Sequence, residues 1–150
     1  MEKELAIVCS KILDYSNALS SLFLEDYKKL LTDEFAELST KQQVVLELLS
    51  VKNRTINEIA QFLSITASAA SQLISKLEKQ GYVKREINLE NRREIIVQLG
   101  DKGHHYHQSV EKSQQFIIEK YYAKLPKVDL ERLLDIQEKL YHIAVEAQKE

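Results

Sequence analysis

Apolar residues recur at alternating spacings of three and four along the first part of the chain. This period predicts one long amphipathic helix over residues 5–31. The stripe is longer than a small domain needs for its own core, so we expect part of it to meet a helix of a second chain. Its apolar positions begin with Leu5, Val8, Ile12, Tyr15, Leu19 and Leu22.

Three further helix starts follow, each marked by a hydroxyl side chain. Ser39 precedes Gln42, and Thr55 precedes Glu58, with the spacing of a capping box. In that motif each side chain accepts a hydrogen bond from the backbone amide of the other residue. Thr66 is the predicted N-cap of the third helix.

The third helix, expected over 67–80, carries the apolar residues Ala70, Leu73, Ile74 and Leu77 on one face. It ends at Gly81, the residue type best suited to a left-handed C-cap. After Gly81 the apolar period changes to two, which predicts strands over 82–87 and 94–99 joined by a hairpin loop.

Two more helices complete the predicted order. The first has about two dozen residues and is expected to stop before Pro126, because proline disfavours helix at the residue ahead of it. The last is expected near 128–147. Four helices, a hairpin and two helices predict a mainly α fold with a minor β component.

Residue counts exclude several classes of protein. The three glycines stand at 81, 100 and 103, so neither G-x-G-x-x-G nor G-x-x-x-x-G-K occurs, and a nucleotide-dependent enzyme is not expected. Cys9 is the single cysteine, which excludes an intrachain disulfide and fits a reducing cytoplasm. We find no signal peptide and no run near the ~20 apolar residues of a membrane span. We therefore expect a cytoplasmic protein without a membrane partner.

The charge distribution points to nucleic acid. Residues 52–93 hold eight Lys and Arg against four Asp and Glu, a net charge of +4, in a chain whose formal net charge is −2. Two short helices joined by a tight turn form a helix-turn-helix whose second helix, faced with Ser and Gln, can enter a major groove. Arg92 and Arg93 at the hairpin tip would form a wing. Either feature alone is typical of solvated surface, but together they predict binding to double-stranded DNA.

This arrangement resembles the MarR family of bacterial winged-helix regulators. The matching segments, in order, are LSTKQ (38–42), IAQFL (59–63), SQLISKLEKQGYV (71–83) and RREIIVQL (92–99). The resemblance implies a homodimer that binds a near-palindromic operator, usually as a repressor, and is released by a small ligand or an oxidant. It also implies dimerisation helices at 1–36 and 101–150 around a winged helix-turn-helix at 37–100.

Three positions depart from the family pattern. Asn91 replaces an Asp, so an ion pair that would stiffen the wing is missing. Gln72 replaces an Arg and suits adenine better than guanine. Gly100 replaces a Thr, which leaves Asp101 or Gly100 itself to cap the next helix. The operator sequence and the rigidity of the wing are therefore the properties least defined by the resemblance.

The candidate DNA contacts fall into three groups. We expect Gln72 and Ser71 to touch base edges, the other hydroxyls to contact phosphates, and the wing arginines to meet the minor groove or its phosphates. Arg93 fits the family's wing arginine better than Arg92. The recognition-helix candidates are Thr66, Ser68, Ser71, Gln72, Ser75 and Lys76; the wing candidates are Asn91, Arg92 and Arg93; and the further backbone candidates are Thr40, Lys41, Arg54 and Lys84.

Two features could carry an effector signal. Tyr15 and Tyr106 are aromatic candidates for a small-molecule pocket between the dimerisation helices and the winged region. Cys9 would allow redox sensing, although a lone cysteine is more often a small apolar filler.

A histidine cluster raises the question of a metal. His104 and His107 share a helix face next to His105, which suggests zinc, but two histidines without a placed carboxylate make a poor site. We therefore expect no metal ion and no cofactor.

Other classes of protein are disfavoured but stay open. The sequence lacks H-E-x-x-H and a nucleophile elbow, which argues against an enzyme. A dimeric winged-helix adaptor that binds only proteins is the stronger alternative. It would be distinguished by the lack of a salt-dependent affinity for DNA. A redox-sensing or metal-sensing variant of the regulator is the other.

Overall fold

The computed structural model describes residues 3–30 and 35–148. In chain order the elements are α1 (Lys3–Leu30), α2 (Thr40–Val51), β1 (Arg54–Thr55), α3 (Ile56–Phe62), α4 (Ala67–Lys79), β2 (Val83–Ile87), β3 (Ile95–Leu99), α5 (Asp101–Lys120), a 3-10 turn (Tyr122–Lys124) and α6 (Lys127–Ala147). The expected mainly α winged helix-turn-helix is confirmed.

The chain divides into two compact units, Met1–Ser113 and Gln114–Glu150. The first holds α1 through β3 and the start of α5. The second holds the rest of α5, the 3-10 turn and α6. Across both described ranges, none of the helices has the length and apolar character needed to cross a bilayer.

The observed lengths of α1 and α5 can be compared with the predicted ones. The long first helix is confirmed as Lys3–Leu30, and Leu31 lies outside the described residues. The fifth helix stops before Pro126 as predicted, but it is shorter than the expected two dozen residues, because α5 ends after 20 residues at Lys120. Tyr121 leaves helical geometry, with φ −122° and ψ −59°, and the 3-10 turn follows. The proline therefore marks the start of α6 rather than the end of α5.

The predicted N-caps of α2, α3 and α4 all form. Ser39 Oγ accepts from the Gln42 amide at 3.3 Å, and Gln42 Oε1 accepts from the Ser39 amide at 2.8 Å. Thr55 and Glu58 make the same pair of bonds at 3.2 and 2.8 Å. Thr66 Oγ1 accepts from a first-turn amide of α4 at 3.1 Å. These bonds satisfy amides that a helix start otherwise leaves unpaired, so the three helices begin where the sequence predicts.

The strands form one antiparallel sheet in the order β1-β3-β2. The hairpin of β2 and β3 is confirmed to within one residue at each strand start. β1 was not expected: Arg54 and Thr55 pair with Val97 and Ile96. Two residues are too few to show an apolar period, so the sequence carries no signal for this strand.

The core of the first unit lies between α2, α3, α4 and the sheet. Its fully buried large side chains include Val45, Leu46, Ile59, Ile74, Leu77, Tyr82, Val83 and Val97. Complete burial of such a side chain contributes about 1.5–3 kcal/mol. The winged region therefore has a core of its own, which holds α4 in place.

Close backbone approaches surround the end of α4. Gly81 has φ +84°, the left-handed conformation predicted for a C-cap. The Gly100 amide donates to the Tyr82 carbonyl at 2.8 Å, and a Cβ at Gly103 would overlap that same carbonyl oxygen. The first turn of α5 can thus lie directly against Tyr82 only because both positions lack a side chain.

The apolar stripe of α1 is exposed to solvent in the single chain. Asp26 is the one buried residue within Lys3–Leu30, whereas Ile12 is 57% exposed. In the second unit, α6 likewise contains no buried residue within Lys127–Ala147. Its exposed large apolar side chains are Val128, Leu134, Ile136, Leu140, Tyr141 and Ile143.

Candidate nucleic-acid interface

A tight turn joins α3 to α4 and sets the helix-turn-helix. Ser64 adopts φ +53°, a left-handed conformation that is uncommon outside glycine and reverses the chain after α3. The Ser64 amide donates to the Gln61 carbonyl at 3.2 Å, and the Ile65 amide donates to the Ala60 carbonyl at 3.0 Å. The chain then enters α4 at its Thr66 cap.

The face of α4 opposite the core presents a row of polar side chains. Ala70, Ile74 and Leu77 are buried, so the other side of the helix faces solvent. Residues four apart lie above one another on a helix. Ser68, Gln72 and Lys76 have that spacing and are all exposed, and we call them the outer row.

Ser71 and Ser75 are held by an arginine of the neighbouring strand. Arg85 Nη2 donates to the Ser71 carbonyl at 3.0 Å, to Ser71 Oγ at 3.4 Å and to Ser75 Oγ at 3.0 Å. Arg85 Nη1 forms an ion pair with Glu78 Oε2 at 2.8 Å. The two serine hydroxyls, which were expected to face DNA, are therefore engaged within the protein.

Sequence reasoning missed this role of Arg85, although a signal was present. Arg85 alternates with Val83 along β2, and Val83 is buried. Residues two apart share a strand face, so an arginine in phase with a core valine points toward the protein rather than into solvent. A half-buried arginine then requires acceptors, which α4 supplies.

Hydrogen bonds within the wing loop shape its tip. The Asn88 amide donates to the Glu94 carbonyl at 3.0 Å, and the Glu94 amide donates to the Asn91 carbonyl at 2.9 Å. Asn91 Oδ1 accepts from the Arg93 amide at 3.3 Å. Asn91 therefore organises the loop through an Asx turn. Arg92 and Arg93 are exposed beside it.

The four further candidates for contact with the DNA backbone differ in how exposed their side chains are. Thr40 and Lys41 are exposed in the first turn of α2. Lys84 is exposed but lies 3.7 Å from an Asp101 oxygen, a surface pair that contributes little to stability. The Arg54 side chain is only 23% exposed and lies 4.0 Å from Glu58. Arg54 is therefore the least accessible of the four.

Glu37, Tyr82 and Lys102 form a group that we call the Glu37 clasp. Lys102 Nζ and the Tyr82 hydroxyl both donate to Glu37 Oε1, at 2.9 and 3.0 Å. The bond from Lys102, followed by that from Tyr82, lowers the pKa of Glu37, and the same Lys102–Glu37 bond raises the pKa of Lys102. Burial raises the pKa of Tyr82. The clasp ties the segment before α2 to the first turn of α5.

The two aromatic effector candidates occupy different surroundings. Tyr106 is 4% exposed and packs edge-on against Phe35, with ring centroids 5.2 Å apart, and burial raises its pKa. Tyr15 is 73% exposed and lines a shallow depression of about 430 Å³ with Lys11 and Asp14. Tyr106 is thus a core residue. It does not line the depression beside Tyr15, so this depression does not bring the two rings together as expected.

The histidine cluster and Cys9 have separate environments. His104 and His107 line one shallow cavity, as their shared helix face predicts, and His107 Nε2 lies 3.4 Å from Glu111 Oε1. Over residues 3–30 and 35–148, no group of three or more His, Cys, Asp and Glu is arranged to hold a metal ion. Cys9 is exposed on α1.

The region from α2 to the wing was compared with models of known protein families. The model of the MarR family matches residues 40–94, from the start of α2 into the wing. Residues 40–94 are therefore similar to the MarR family. That segment contains the Thr55 capping box, the helix-turn-helix and both wing arginines.

A curated protein is also similar to part of the chain. The HTH-type transcriptional regulator YfiV of Bacillus subtilis (strain 168) is 32% identical over 90 residues, 59% of this chain and 54% of that protein. The chain therefore spans about half the length of this curated relative.

Solved structures share the fold over a wider range. Streptococcus pneumoniae FabT, crystallised in complex with DNA, matches with a TM-score of 0.75 and 17% identity over 91% of this chain and 97% of that chain. A MarR family protein from Bacillus stearothermophilus matches with a TM-score of 0.72 and 18% identity over 97% of this chain and 99% of that chain. The winged-helix fold is common to all three proteins.

Proposed function

We propose that this chain is a sequence-specific, double-stranded DNA-binding transcriptional regulator. The observation that carries the proposal is the exposed outer row of α4 beside a wing tipped by Arg92 and Arg93. Two relatives support it: the FabT structure is a complex with DNA, and YfiV is named as an HTH-type transcriptional regulator. This role requires access to the chromosome and hence a cytoplasmic location.

The outer row supplies the groups that read a major groove. The Gln72 amide can bond to adenine in a bidentate way, and Ser68 and Lys76 on either side of it can donate to phosphates. Arg92 and Arg93 meet the minor groove or its phosphates. Thr40 and Lys41 contact the DNA backbone.

A homodimer accounts for the exposed apolar stripe of α1. Apolar patches of this extent are unusual on a monomer and mark interaction surfaces. A two-fold dimer presents two recognition helices, so the operator is near-palindromic with half-site centres about 10–10.5 bp apart or a multiple of that.

The regulator acts as a repressor that a small effector releases from its operator. A dimer bound across an operator blocks transcription, and a small effector that favours another arrangement of the dimer releases it. The depression beside Tyr15 lies on the same helix as the apolar stripe and is the candidate effector site.

The test is a fluorescence-anisotropy titration against randomised and genomic duplexes at two salt concentrations, with light scattering on the same sample. We expect a dimer whose affinity falls steeply with salt, because bound phosphates release counterions. Replacing Arg92 and Arg93 with Ala should weaken binding to every sequence and make the salt slope shallower by about 1 per lost phosphate contact.

A matched control removes the same charge elsewhere. Lys28 and Lys29 form an adjacent exposed basic pair at the end of α1, and their replacement by Ala should leave the salt slope unchanged. Equal effects of the two double variants would argue against a wing contact. A stable dimer without binding at low salt would instead favour the protein-binding adaptor.

A further inference from the structure

The polar side of α4 consists of two rows with different surroundings. The outer row, Ser68, Gln72 and Lys76, is exposed. The second row, half-buried Ser71 and exposed Ser75, is hydrogen-bonded to Arg85 of β2. Ser75 Oγ also donates to the Ser71 carbonyl at 2.8 Å. The hydroxyls of the second row are therefore bonded before any DNA arrives.

Arg85 is built into the joint between α4 and β2. Its side chain is 22% exposed, and besides its Nη bonds its backbone amide donates to Glu78 Oε1 at 3.3 Å. Its Nε atom is buried and has no hydrogen-bond partner in the described part of the chain. Burying a permanently charged guanidinium is costly, and the Glu78 carboxylate and the serine acceptors offset that cost.

The geometry of these acceptors explains why an arginine is required. Ser71, Ser75 and Glu78 are spaced by four and three residues, so they lie on one side of α4. A guanidinium is planar and donates in several fixed directions, whereas a lysine ammonium is a compact point charge on a flexible stem. Arg85 can therefore hold two turns of α4 at once.

Building on the proposed DNA binding, we propose that Arg85 is a positioning residue that determines sequence specificity. It fixes the orientation of α4 relative to the wing strand and withholds Ser71 and Ser75 from the DNA. Sequence discrimination then comes from the outer row, with Gln72 as its centre.

The experiment measures the ratio of affinities for two duplexes in the intact chain. The first is a duplex selected by the wild-type protein from a randomised pool, and the second is a scrambled duplex of equal length and composition. Ser75→Ala, Gln72→Ala, Arg85→Gln and Arg85→Lys are compared at one salt concentration, with the melting temperature and the salt slope of each variant.

Ser109→Ala is the matched control, because Ser109 Oγ donates to the carbonyl of His105 on α5 just as Ser75 Oγ does to that of Ser71. We expect Ser109→Ala to leave both affinities within about twofold of wild type. Ser75→Ala removes one acceptor of Arg85 and should lower the ratio by less than Arg85→Gln does. Gln72→Ala should lower the discrimination ratio by about tenfold or more, because it removes a bidentate base contact.

Arg85→Gln should lower the ratio by a similar factor without changing the salt slope, since Arg85 faces α4 rather than a phosphate. Arg85→Lys should not restore the ratio. Glu78→Gln, which weakens the same joint but keeps the serine bonds, should give a smaller loss in the same direction and serves as the readout if Arg85→Gln does not fold.

Some outcomes would overturn the role of Arg85, and another would overturn the proposed DNA binding. A loss of discrimination in Ser75→Ala equal to that of Gln72→Ala would show that Ser75 contacts DNA directly and would overturn the inference. If folded Arg85→Gln, or Glu78→Gln, discriminated between the two duplexes as well as wild type does, Arg85 would only stabilise the fold. Absence of salt-dependent binding by the wild-type protein would instead remove the proposed function itself, and the inference with it.

Discussion

Helices α1 and α4 are both amphipathic, but only α4 has its apolar face covered by its own chain. Ala70, Ile74 and Leu77 of the 13-residue α4 are completely buried. The 28-residue α1 buries only Asp26 among its residues and leaves its apolar stripe in solvent. The same periodic signal thus predicts that a face will be covered, but it does not say by which chain.

The largest expected effect on stability comes from a substitution in α4, the helix whose apolar face is covered by its own chain. Ile74→Ala should lower the free energy of unfolding by about 2–5 kcal/mol, because it leaves a cavity in a fully buried site. Urea denaturation at two protein concentrations measures the loss, which should be the same at both. A loss that varied with concentration would show that the winged core also depends on association.

Gly103→Ala tests the close approach of α5 to Tyr82. The added methyl group overlaps the Tyr82 carbonyl oxygen, so we expect a loss of about 1–3 kcal/mol in the same denaturation experiment. Lys112→Ala, at an exposed position of the same helix, should stay within about 0.5 kcal/mol of wild type. A neutral Gly103→Ala would mean that α5 can move away from the sheet.

The contrasting substitution on α1 should act through association. In dilute protein, Ile12→Ala should change stability by no more than about 0.5 kcal/mol, because the side chain is already exposed in the single chain. Ile12→Glu should shift the protein toward monomer in size-exclusion light scattering without changing its circular dichroism. A dimer as stable as wild type in Ile12→Glu would place the partner surface elsewhere.

The smallest effect concerns pH and the Glu37 clasp. The pKa of Glu37 is lowered from 4.5, so its contribution to stability is present above that ordinary value and is lost as pH falls through the lowered pKa. The difference in melting temperature between wild type and Glu37→Gln should therefore shrink on acidification. Glu90→Gln, at an exposed position of the wing loop, should show no such convergence.

Local chemistry explains what the sequence could predict. The capping boxes at Ser39 and Thr55, the left-handed Gly81 and the hairpin all depend on residues a few positions apart. Their spacing alone therefore located the helix-turn-helix and its wing to within a residue or two.

Contacts between distant residues explain what it could not. Arg85 reaches back to Ser71, and Glu37 meets Lys102. The alternation of β2 predicts that Arg85 faces the protein, but no local pattern identifies the partners in these two contacts. For the same reason Ser71 and Tyr106 looked available in sequence, although their partners Arg85 and Phe35 engage them in the structure.

The Glu37 clasp also gives the winged region the topology of an insert. Lys102 lies 65 positions after Glu37, yet their side chains meet at 2.9 Å, so the chain enters and leaves the winged region at nearly one point. A segment with adjacent ends and its own core can be transplanted or permuted without stretching its connections. Residues 35–113 hold the whole buried cluster from Phe35 to Tyr106. They therefore form a module that other pairs of flanking helices could carry.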